Sequence, residues 1–201
     1  MIRIAVLGDI GSGKSHVAKL FGYPVFNADV EVTKLYRKSR KCYSKLKKML
    51  PNYITSFPIK KFELSKAIMD SQKNLKKIAK IVHPEVRNRM NDFIKKNRNK
   101  KYIVLDIPLL IENKINKKND ILIFVDAKKK EIKKRLKKRN VSTKILEKFQ
   151  LPIELKKKKA DYIVKNNFNN NFAKKNVKRV LGKILLNAWS YSWYRNDRVI
   201  Q

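Results

Sequence analysis

The chain has 201 residues, a single cysteine and a formal net charge of +35 at pH 7. One cysteine excludes an internal disulfide framework, and two histidines argue against a zinc site. The longest apolar run, residues 102–111, contains Asp106 and Pro108 and is too short to cross a bilayer. The first apolar run leads directly into a glycine-rich loop instead of a signal-peptide cleavage site. We therefore expect a soluble, cytoplasmic protein.

The positive charge by itself is compatible with binding to nucleic acid or to small anionic substrates. Lysine, however, is spread along the whole chain, and asparagine and isoleucine are abundant as well. This distribution fits a genome-wide bias toward A/T-rich codons. The sequence contains no zinc finger, RNA-binding sheet signature or other nucleic-acid module. We therefore expect no specific nucleic-acid partner.

Apolar strand-like segments alternate with segments of helical periodicity, which predicts an α/β fold with a five-stranded, mainly parallel sheet. Strands are predicted at residues 2–7, 24–27, 102–106, 120–125 and 161–165. Helices are predicted at residues 14–21, 29–38, 62–69, 72–97, 128–138, 143–149, 153–159 and 171–191. The chain is predicted to form one domain with a core of residues 1–35, 99–127 and 160–201. Residues 36–98 form a helical insertion suited to substrate binding, and residues 128–159 form a second, basic helical segment.

The first predicted strand ends in the segment GDIGSGKS, residues 8–15, which fits the pattern G-x-x-x-x-G-K-[ST]. The glycines allow successive N–H groups to turn toward an anion, and the following helix directs its positive end to the same point. Lys14 can reach the β- and γ-phosphates of a nucleotide, and the Ser15 hydroxyl can bind Mg²⁺. We expect contacts to the nucleotide from Gly11, Ser12, Gly13, Lys14, Ser15 and His16.

Asp29 follows the second predicted strand, in the segment FNADVEV. In an open parallel sheet, ligands bind beyond the carboxyl ends of the strands. Asp29 is therefore either a helix N-cap, which is a common position for aspartate, or a base that accepts the proton of an attacking hydroxyl. Position alone favours neither interpretation.

His83 and Arg87 lie in the segment IVHPEVR, near the end of the predicted insertion. A histidine followed by proline after an apolar helix is typical of a helix end. The segment alone therefore indicates little about function.

Asp106 ends the third predicted strand, in the segment VLDIPLLIE. In many proteins with this type of phosphate loop, an acid in this position holds the magnesium ion or its water. The other interpretation is a turn aspartate before a proline-containing segment.

The segment RLKKR places Arg135 and Arg139 four residues apart, on one face of a predicted helix. Arginines on a lid can neutralise charge on a phosphoryl group during transfer, but a basic helix face can equally be solvated. Aromatic side chains near the end of the chain are interpreted as a packing stripe, with a stacking platform for single strands as the alternative. These are Trp189, Tyr191, Trp193 and Tyr194.

Taken together, these segments resemble the dephospho-CoA kinase family. The resemblance covers most of the chain and rests on GDIGSGKS, NAD at 27–29, IVHPEVR at 81–87, LDIPLLIE at 105–112, RLKKR at 135–139 and QLPIELKKKKADYIVKNN at 150–167. The order and spacing of the later segments are more specific than the phosphate loop.

The resemblance implies ATP-dependent phosphorylation of the ribose 3′-hydroxyl of dephospho-CoA to give CoA and ADP, the last step of CoA biosynthesis. It implies ATP and Mg²⁺ as cofactors and dephospho-CoA as the acceptor. The implied fold is the P-loop nucleotide-kinase sheet, in which residues 36–98 are an acceptor subdomain and residues 128–159 a lid.

The resemblance also implies roles for individual residues. Asp29 matches the expected general base, and Asp106 matches an acid beside the magnesium and the acceptor. Arg135 and Arg139 match lid positions, and Arg139 is counted with Lys14 and Asp29 as catalytic. Asn166 falls where the family holds the adenine of ATP, and His83 and Arg87 would lie near the acceptor.

Five residues depart from the pattern that the family usually shows. Asp9 stands in place of glycine, His16 in place of threonine, and Asn27 in place of the first aspartate of Asp-Ala-Asp. Lys61 and Met69 stand in place of an arginine and a phenylalanine in the acceptor subdomain. These departures bear on the rate and on the affinity for the acceptor.

Three other functions remain open at this point. The first is another P-loop kinase that acts on a nucleoside or nucleotide, and the second is a nucleic-acid-binding P-loop ATPase. The third is a nucleotide-binding protein without catalytic activity, which Asp9 and His16 motivate.

Overall fold

The computed structural model describes residues 1–138 and 150–196, with side chains described up to residue 137 and from 150 to 187. Within these ranges the chain forms five strands and eight helices. The strands are β1 (Ile2–Gly8), β2 (Val25–Asn27), β3 (Tyr102–Asp106), β4 (Ile121–Asp126) and β5 (Tyr162–Lys165). The helices are α1 (Lys14–Leu20), α2 (Ala28–Lys38), α3 (Arg40–Met49), α4 (Lys61–Asp70), α5 (Gln72–Lys96), α6 (Lys129–Lys138), α7 (Ile153–Lys159) and α8 (Asn170–Asn196).

The five strands form one sheet in the order β2-β3-β1-β4-β5. Strand β1 is parallel to β3 and to β4, with Ile4 opposite Val104 and Val6 opposite Ile123, and β4 is parallel to β5. The parallel sheet predicted from the sequence is confirmed. Residues 4–7 of β1 and 102–105 of β3 are continuous apolar runs because both faces of these strands are covered.

The chain divides into two compact units. The sheet unit consists of Met1–Val25 and the described residues from Lys100 onward, and the helical unit is Phe26–Asn99. The boundary lies inside β2. Each unit has its own cluster of buried apolar side chains.

The core of the sheet unit lies on the central strands and on two helices that pack against them. Ile4, Val6 and Val104 come from β1 and β3, Val17 comes from α1, and Val177 comes from α8. Burial of each such side chain contributes about 1.5–3 kcal/mol. This packing fixes the point at which β1 ends and α1 begins.

A buried ion pair joins β1 to the segment that precedes β4. Arg3 Nε donates to Asp120 Oδ1 at 2.7 Å, and Arg3 Nη2 donates to Asp120 Oδ2 at 2.5 Å. The backbone N–H of Lys117 donates to the same carboxylate at 2.9 Å. Because both side chains are almost completely buried, each one depends on the other to satisfy its charge.

The helical unit contains α2, α3, α4 and α5 packed around a second apolar core. Its fully buried members include Leu35, Leu46, Ile54 and Ala67. Helix α3 was not predicted from the sequence, because five of its ten residues are lysine or arginine and obscure the apolar spacing. The Ser39 side chain caps this helix by accepting a hydrogen bond from the backbone N–H of Cys42 at 3.1 Å.

The helix predicted at residues 72–97 is confirmed as α5. It continues through the segment IVHPEVR, so the separate interpretation of His83–Pro84 as a helix end is wrong. Pro84 lies inside the helix, where it cannot donate a backbone hydrogen bond. Buried residues on both sides of the proline, among them Ile78, Val82 and Met90, hold the helix to its unit. Packing therefore outweighs the local preference.

The other predicted strands and helices agree with the structure to within a few residues, except where the structure describes none of the chain. The helix predicted at 143–149 and the side chains of Trp189, Tyr191, Trp193 and Tyr194 lie outside the described part. Within the described residues, no helix is both long and apolar enough to span a membrane.

Glu63 is a buried carboxylate at the first turn of α4 in the helical unit. One of its oxygens accepts from Thr55 Oγ1 at 2.6 Å and from the backbone N–H groups of Thr55 and Ser56 at 3.0 Å. The other accepts from Ser56 Oγ at 3.1 Å and from the backbone N–H of Lys60 at 3.0 Å. Burial alone would raise the pKa of Glu63, but these hydrogen bonds lower it to about 2.

We expect Glu63→Gln to lower the free energy of unfolding at pH 7 by about 2 kcal/mol, since hydrogen bonds to a charged group are lost. A depressed folded-state pKa contributes stability above the ordinary pKa of 4.5, and this contribution is lost as the pH falls toward about 2. The difference between wild type and variant should therefore shrink over that interval in urea unfolding measurements. The exposed Glu154→Gln provides the control, and a pH-independent difference for Glu63→Gln would contradict the assignment.

Candidate active site

The phosphate loop connects β1 to α1 in the sheet unit, and two of its glycines adopt left-handed backbone angles. Gly11 has φ 80° and Gly13 has φ 90°. The carbonyl of Gly13 accepts from the N–H groups of His16 and Val17, so α1 starts directly at the loop. A Cβ at Gly13 would lie 2.4 Å from Asn166 Nδ2, so this position has no room for a side chain. Backbone N–H groups and the positive end of α1 together make the loop suitable for an anion.

Lys14 carries its ammonium group back over the phosphate loop. Its Nζ donates to the carbonyl of Asp9 at 2.8 Å and to the carbonyl of Gly8 at 3.3 Å. The positive charge predicted for this site is therefore present at the loop. A bound phosphate can attract the same group without a large movement of the main chain.

Ser12 lies buried at the bottom of the loop. Its N–H donates to the carbonyl of Asp9 at 3.1 Å, and its carbonyl accepts from Asn166 Nδ2 at 2.8 Å. Among the described side chains, its hydroxyl is a buried group without a hydrogen-bond partner. A Cβ at Gly8 would lie 2.7 Å from that hydroxyl oxygen. The close approach of the Ser12 hydroxyl to the backbone therefore requires a glycine at position 8.

Asp9 places its carboxylate on the backbone of the loop itself. Its Oδ1 accepts from the N–H of Ile10 at 2.7 Å. The Asp9 carboxylate therefore accepts a hydrogen bond from a backbone N–H of the loop. The expected ligand of this loop, a phosphate, is also negatively charged. His16, the other departure in this segment, exposes its side chain and contributes its backbone to α1.

Phe168, which was not predicted as a site residue, connects Arg135 to Asn166, and Asn166 is itself bonded to the Ser12 carbonyl of the loop. Asn166 Oδ1 accepts from the N–H of Phe168 at 3.0 Å, and the guanidinium of Arg135 lies 4.3 Å from the centre of the Phe168 ring. Phe168 has φ 65°, which is unusual for a bulky residue and indicates a site held by its surroundings. An aromatic residue shortly after β5 was the only sequence signal for it.

Helix α6 packs directly against the phosphate loop. A Cβ at Gly11 would lie 3.1 Å from Leu136 and 3.2 Å from Ile132, both on α6. The structure thus brings Arg135, on the same helix, to the loop. Arg139 lies outside the described residues.

Asp106 is the last residue of β3 and is buried, so it belongs to the strand and not to a turn. Its carboxylate and the Ser15 hydroxyl are the hard oxygen ligands that Mg²⁺ prefers. No cluster of three or more histidine, cysteine, aspartate or glutamate side chains suitable for a metal ion occurs in the described part of the chain. This donor set fits a magnesium ion held mainly by phosphate oxygens and water.

A second buried ion pair joins two of the recognised segments. Glu112, in LDIPLLIE, accepts from Lys156 Nζ of α7 at 2.9 Å and from the N–H of Leu151 at 3.1 Å. Burial would raise the pKa of Glu112, but the hydrogen bonds and the charge of Lys156 hold it below its ordinary value. The pair fixes α7 to the segment that follows Asp106. The pair could not be predicted from the sequence, because Lys156 is one of four consecutive lysines.

In the helical unit, Asp29 occupies the first turn of α2. The cap of this helix is Asn27, whose Oδ1 accepts from the N–H of Val30 at 2.8 Å. The interpretation of Asp29 as the N-cap is therefore wrong. Its side chain is exposed, at the end of the helix where the dipole favours a negative charge. Asn27 performs the capping that an aspartate would also provide.

The position of α2 within the helical unit is supported by an ion pair to α5. Arg89 Nη1 donates to Glu31 Oε2 at 2.9 Å. His83 and Arg87 lie one turn apart on the same helix α5. Partial burial of the ring and the positive charge of Arg87 both lower the pKa of His83, so its imidazole is neutral at pH 7.

Comparisons with known proteins agree on the family. A family model described as dephospho-CoA kinase matches residues 2–171. A dephospho-CoA kinase of Wolbachia from Brugia malayi is 32% identical over 193 residues, which cover 92% of this chain and 99% of the relative. That of Bartonella quintana is 32% identical over 170 residues, with 80% and 87% covered.

Solved structures are similar as well. A crystal structure of a Thermus thermophilus protein has a TM-score of 0.74 and 27% identity, with 92% of this chain and 97% of that chain covered. The dephospho-CoA kinase of Campylobacter jejuni has a TM-score of 0.63 at 20% identity, with 90% and 96% covered, which supports the fold alone. The P-loop kinase fold and the resemblance found in the motifs are thereby confirmed. The chain belongs to the dephospho-CoA kinase family.

Proposed function

We propose that this chain transfers the γ-phosphoryl group of ATP to the ribose 3′-hydroxyl of dephospho-CoA, giving CoA and ADP. The observation that carries the proposal is the phosphate loop with Lys14 Nζ placed over it, in a chain whose match to the family spans residues 2–171. Because ATP is the phosphoryl donor, we also propose a cytoplasmic location.

On the nucleotide side, the loop N–H groups and the start of α1 bind the β- and γ-phosphates. The proposed contacts come from Gly11, Ser12, Gly13, Lys14, Ser15 and His16. When the nucleotide binds, Lys14 Nζ gives up its hydrogen bonds to the loop carbonyls and donates to phosphate oxygens instead. Phosphoryl transfer depends mainly on positioning of the reacting groups and on neutralisation of the phosphate charge. A loop of backbone N–H donors with a lysine can supply both.

Ser15 and Asp106 are the residues that would hold Mg²⁺. The ion, when bound, neutralises charge on the phosphate oxygens. The oxygen chemistry of both side chains supports this assignment.

On the acceptor side, Asp29 is proposed as the general base. The 3′-hydroxyl oxygen forms a bond to the γ-phosphorus, the bond from that phosphorus to the bridging oxygen of ADP breaks, and the hydroxyl proton goes to Asp29. The exposed carboxylate at the first turn of α2 supports the role, since Asn27 and not Asp29 caps the helix.

The remaining predicted residues are assigned by the same proposal. Residues 36–98 form the acceptor subdomain, with His83 and Arg87 contacting the acceptor. Residues 128–159 form the lid, from which Arg135 and Arg139 neutralise charge on the transferring group. Asn166 is assigned to the part of the site that holds the adenine of ATP. The packing of Ile132 and Leu136 against Gly11 supports the assignment of α6 to the lid.

We expect Asp29→Asn to lower kcat by at least about a hundredfold, with a much smaller change in KM for ATP, because the amide cannot accept the proton. The measurement is the initial rate of CoA formation at saturating ATP and dephospho-CoA. Asp92→Asn, an exposed carboxylate on α5, is the matched control. Near-normal turnover of Asp29→Asn would remove Asp29 from the role of base.

The acceptor class is tested by the release of ADP from ATP and Mg²⁺ with dephospho-CoA, nucleosides or RNA added separately. Stimulation by dephospho-CoA alone is expected. A response to a nucleoside would indicate another small-molecule kinase, and a response to RNA without a phosphorylated product would indicate a nucleic-acid-dependent ATPase. Tight ATP binding without turnover on any acceptor would indicate a non-catalytic protein.

A further inference from the structure

We propose that Asn166 is a positioning residue that aims the backbone N–H of Gly13 at the nucleotide phosphates, and that Phe168 ties this function to Arg135 on α6. We call these contacts the Asn166 bridge: Asn166 Nδ2 to the Ser12 carbonyl, Asn166 Oδ1 to the Phe168 N–H, and the Phe168 ring to Arg135. The inference rests on the proposed function in one respect, namely that the loop binds nucleotide.

The bridge acts on the peptide that joins Ser12 to Gly13. Asn166 Nδ2 donates to the carbonyl of Ser12 at 2.8 Å, across 154 positions of sequence, and both residues are buried. A trans peptide is planar, and its C=O and N–H point in opposite directions. A donor that holds the Ser12 carbonyl on one side therefore fixes the direction of the Gly13 N–H on the other.

The orientation of the Asn166 amide is determined by its partners. Its oxygen accepts from the N–H of Phe168 at 3.0 Å, so its nitrogen is the group that faces Ser12. The backbone N–H of Asn166 donates to the carbonyl of Asp126 at 2.8 Å, which anchors the residue to the end of β4. The sheet therefore holds in place the Asn166 side chain that donates to the loop.

Phe168 connects the bridge to the basic helix. Its left-handed backbone, φ 65°, is unfavourable for a phenylalanine and is held by the hydrogen bond to Asn166. A Cβ at Gly13 would lie 3.5 Å from the edge of the Phe168 ring, so the ring packs on the loop. The guanidinium of Arg135 lies over the same ring at 4.3 Å. The loop and Arg135 are thus positioned by one contiguous set of contacts.

Two substitutions at Asn166 separate the contacts of the bridge. Asn166→Asp keeps the acceptor for the Phe168 N–H but cannot donate to the Ser12 carbonyl, whereas Asn166→Ala removes both contacts. Because misplacement of a phosphate donor by a fraction of an ångström weakens binding strongly, we expect both variants to bind ADP at least about tenfold more weakly. Phe168→Gly tolerates the same φ and removes only the ring, so it should affect turnover through Arg135 more than ADP affinity.

The test uses the full chain and three readouts: Kd for ADP by titration calorimetry, hydrogen exchange of residues 9–15 without nucleotide, and the KM values for ATP and dephospho-CoA. Asn176→Ala is the control, because Asn176 is similarly buried and its amide bonds the Phe172 carbonyl within α8. We expect Asn166→Asp to increase exchange in the loop and KM for ATP, with KM for dephospho-CoA within about twofold of wild type. Asn176→Ala should leave all three readouts unchanged.

Wild-type Kd and loop exchange in Asn166→Asp would overturn the bridge, whatever the activity of the protein. The proposed function fails separately, when wild-type protein binds ADP but forms no CoA. In that case the Kd and exchange measurements still decide whether Asn166 positions the loop.

Discussion

Replacement of Lys14 by alanine is expected to lower kcat for CoA formation by at least about a hundredfold, because a preorganised cation at the transferring phosphoryl group is lost. In the structure Lys14 Nζ already lies at the loop, 2.8 Å from the carbonyl of Asp9. The site therefore needs little reorganisation to place the charge. The measurement is the initial rate at saturating ATP and dephospho-CoA.

Lys19→Ala is the control for Lys14→Ala, because Lys19 is an exposed cation in the last turn of the same helix. It should leave kcat unchanged. Equal kcat values for Lys14→Ala and Lys19→Ala would show that phosphoryl transfer does not depend on Lys14. The assignment of the loop as the site of the transferred phosphate would then be wrong.

Replacement of Asp120 by alanine is expected to lower the free energy of unfolding by about 3–5 kcal/mol, because the charge of Arg3 remains buried without its partner. The shift in the urea midpoint, with an unchanged slope, measures this loss. The pair contributes no proposed contact to the nucleotide or to the acceptor, so folded protein should keep its kcat.

Two comparisons separate the buried pair from charge effects in general. Lys41→Ala removes one member of an exposed pair with Glu85 and should cost less than about 1 kcal/mol. The double variant Arg3→Met with Asp120→Leu removes both charges and should recover most of the loss. A double variant as unstable as Asp120→Ala alone would contradict the explanation by an unpaired buried charge.

The strands and the phosphate loop could be predicted from the sequence because their signals are local. Strand β3 is a continuous apolar run since both faces are covered, and the spacing of Gly8, Gly13 and Lys14 is itself the chemical requirement of the loop. Helix α3 could not be predicted from apolar periodicity, because five of its ten residues are lysine or arginine and only Cys42 and Leu46 are buried.

Contacts between distant segments could not be predicted from periodicity or spacing. Asn166 and Ser12 meet because β5 and β1 lie in one sheet, and no local pattern in the sequence encodes that approach. Lys156 pairs with Glu112 because the fold brings α7 to the segment that follows β3, although three neighbouring lysines have the same side chain. The role of such a polar residue therefore depends on the fold, which brings its partner close to it from a distant part of the sequence.

The departures from the family pattern differ in their structural consequences. Asn27 retains the capping function at α2, and Lys61 and Met69 lie exposed on α4, where they leave the core of the helical unit unchanged. Asp9 is different, because its carboxylate bonds the Ile10 N–H at the phosphate loop itself. His16 keeps its backbone role in α1 with an exposed side chain.

The reaction proposed for this chain is the transfer of a phosphoryl group to the ribose 3′-hydroxyl of dephospho-CoA. The most direct measurement is the identity of the product formed from ATP, Mg²⁺ and dephospho-CoA, by mass spectrometry and phosphorus NMR. We expect a product that carries one additional phosphoryl group, whose phosphorus is coupled to the ribose 3′ proton, with one ADP formed per CoA. ADP release without this product, or a phosphoryl group at any other position, would contradict it.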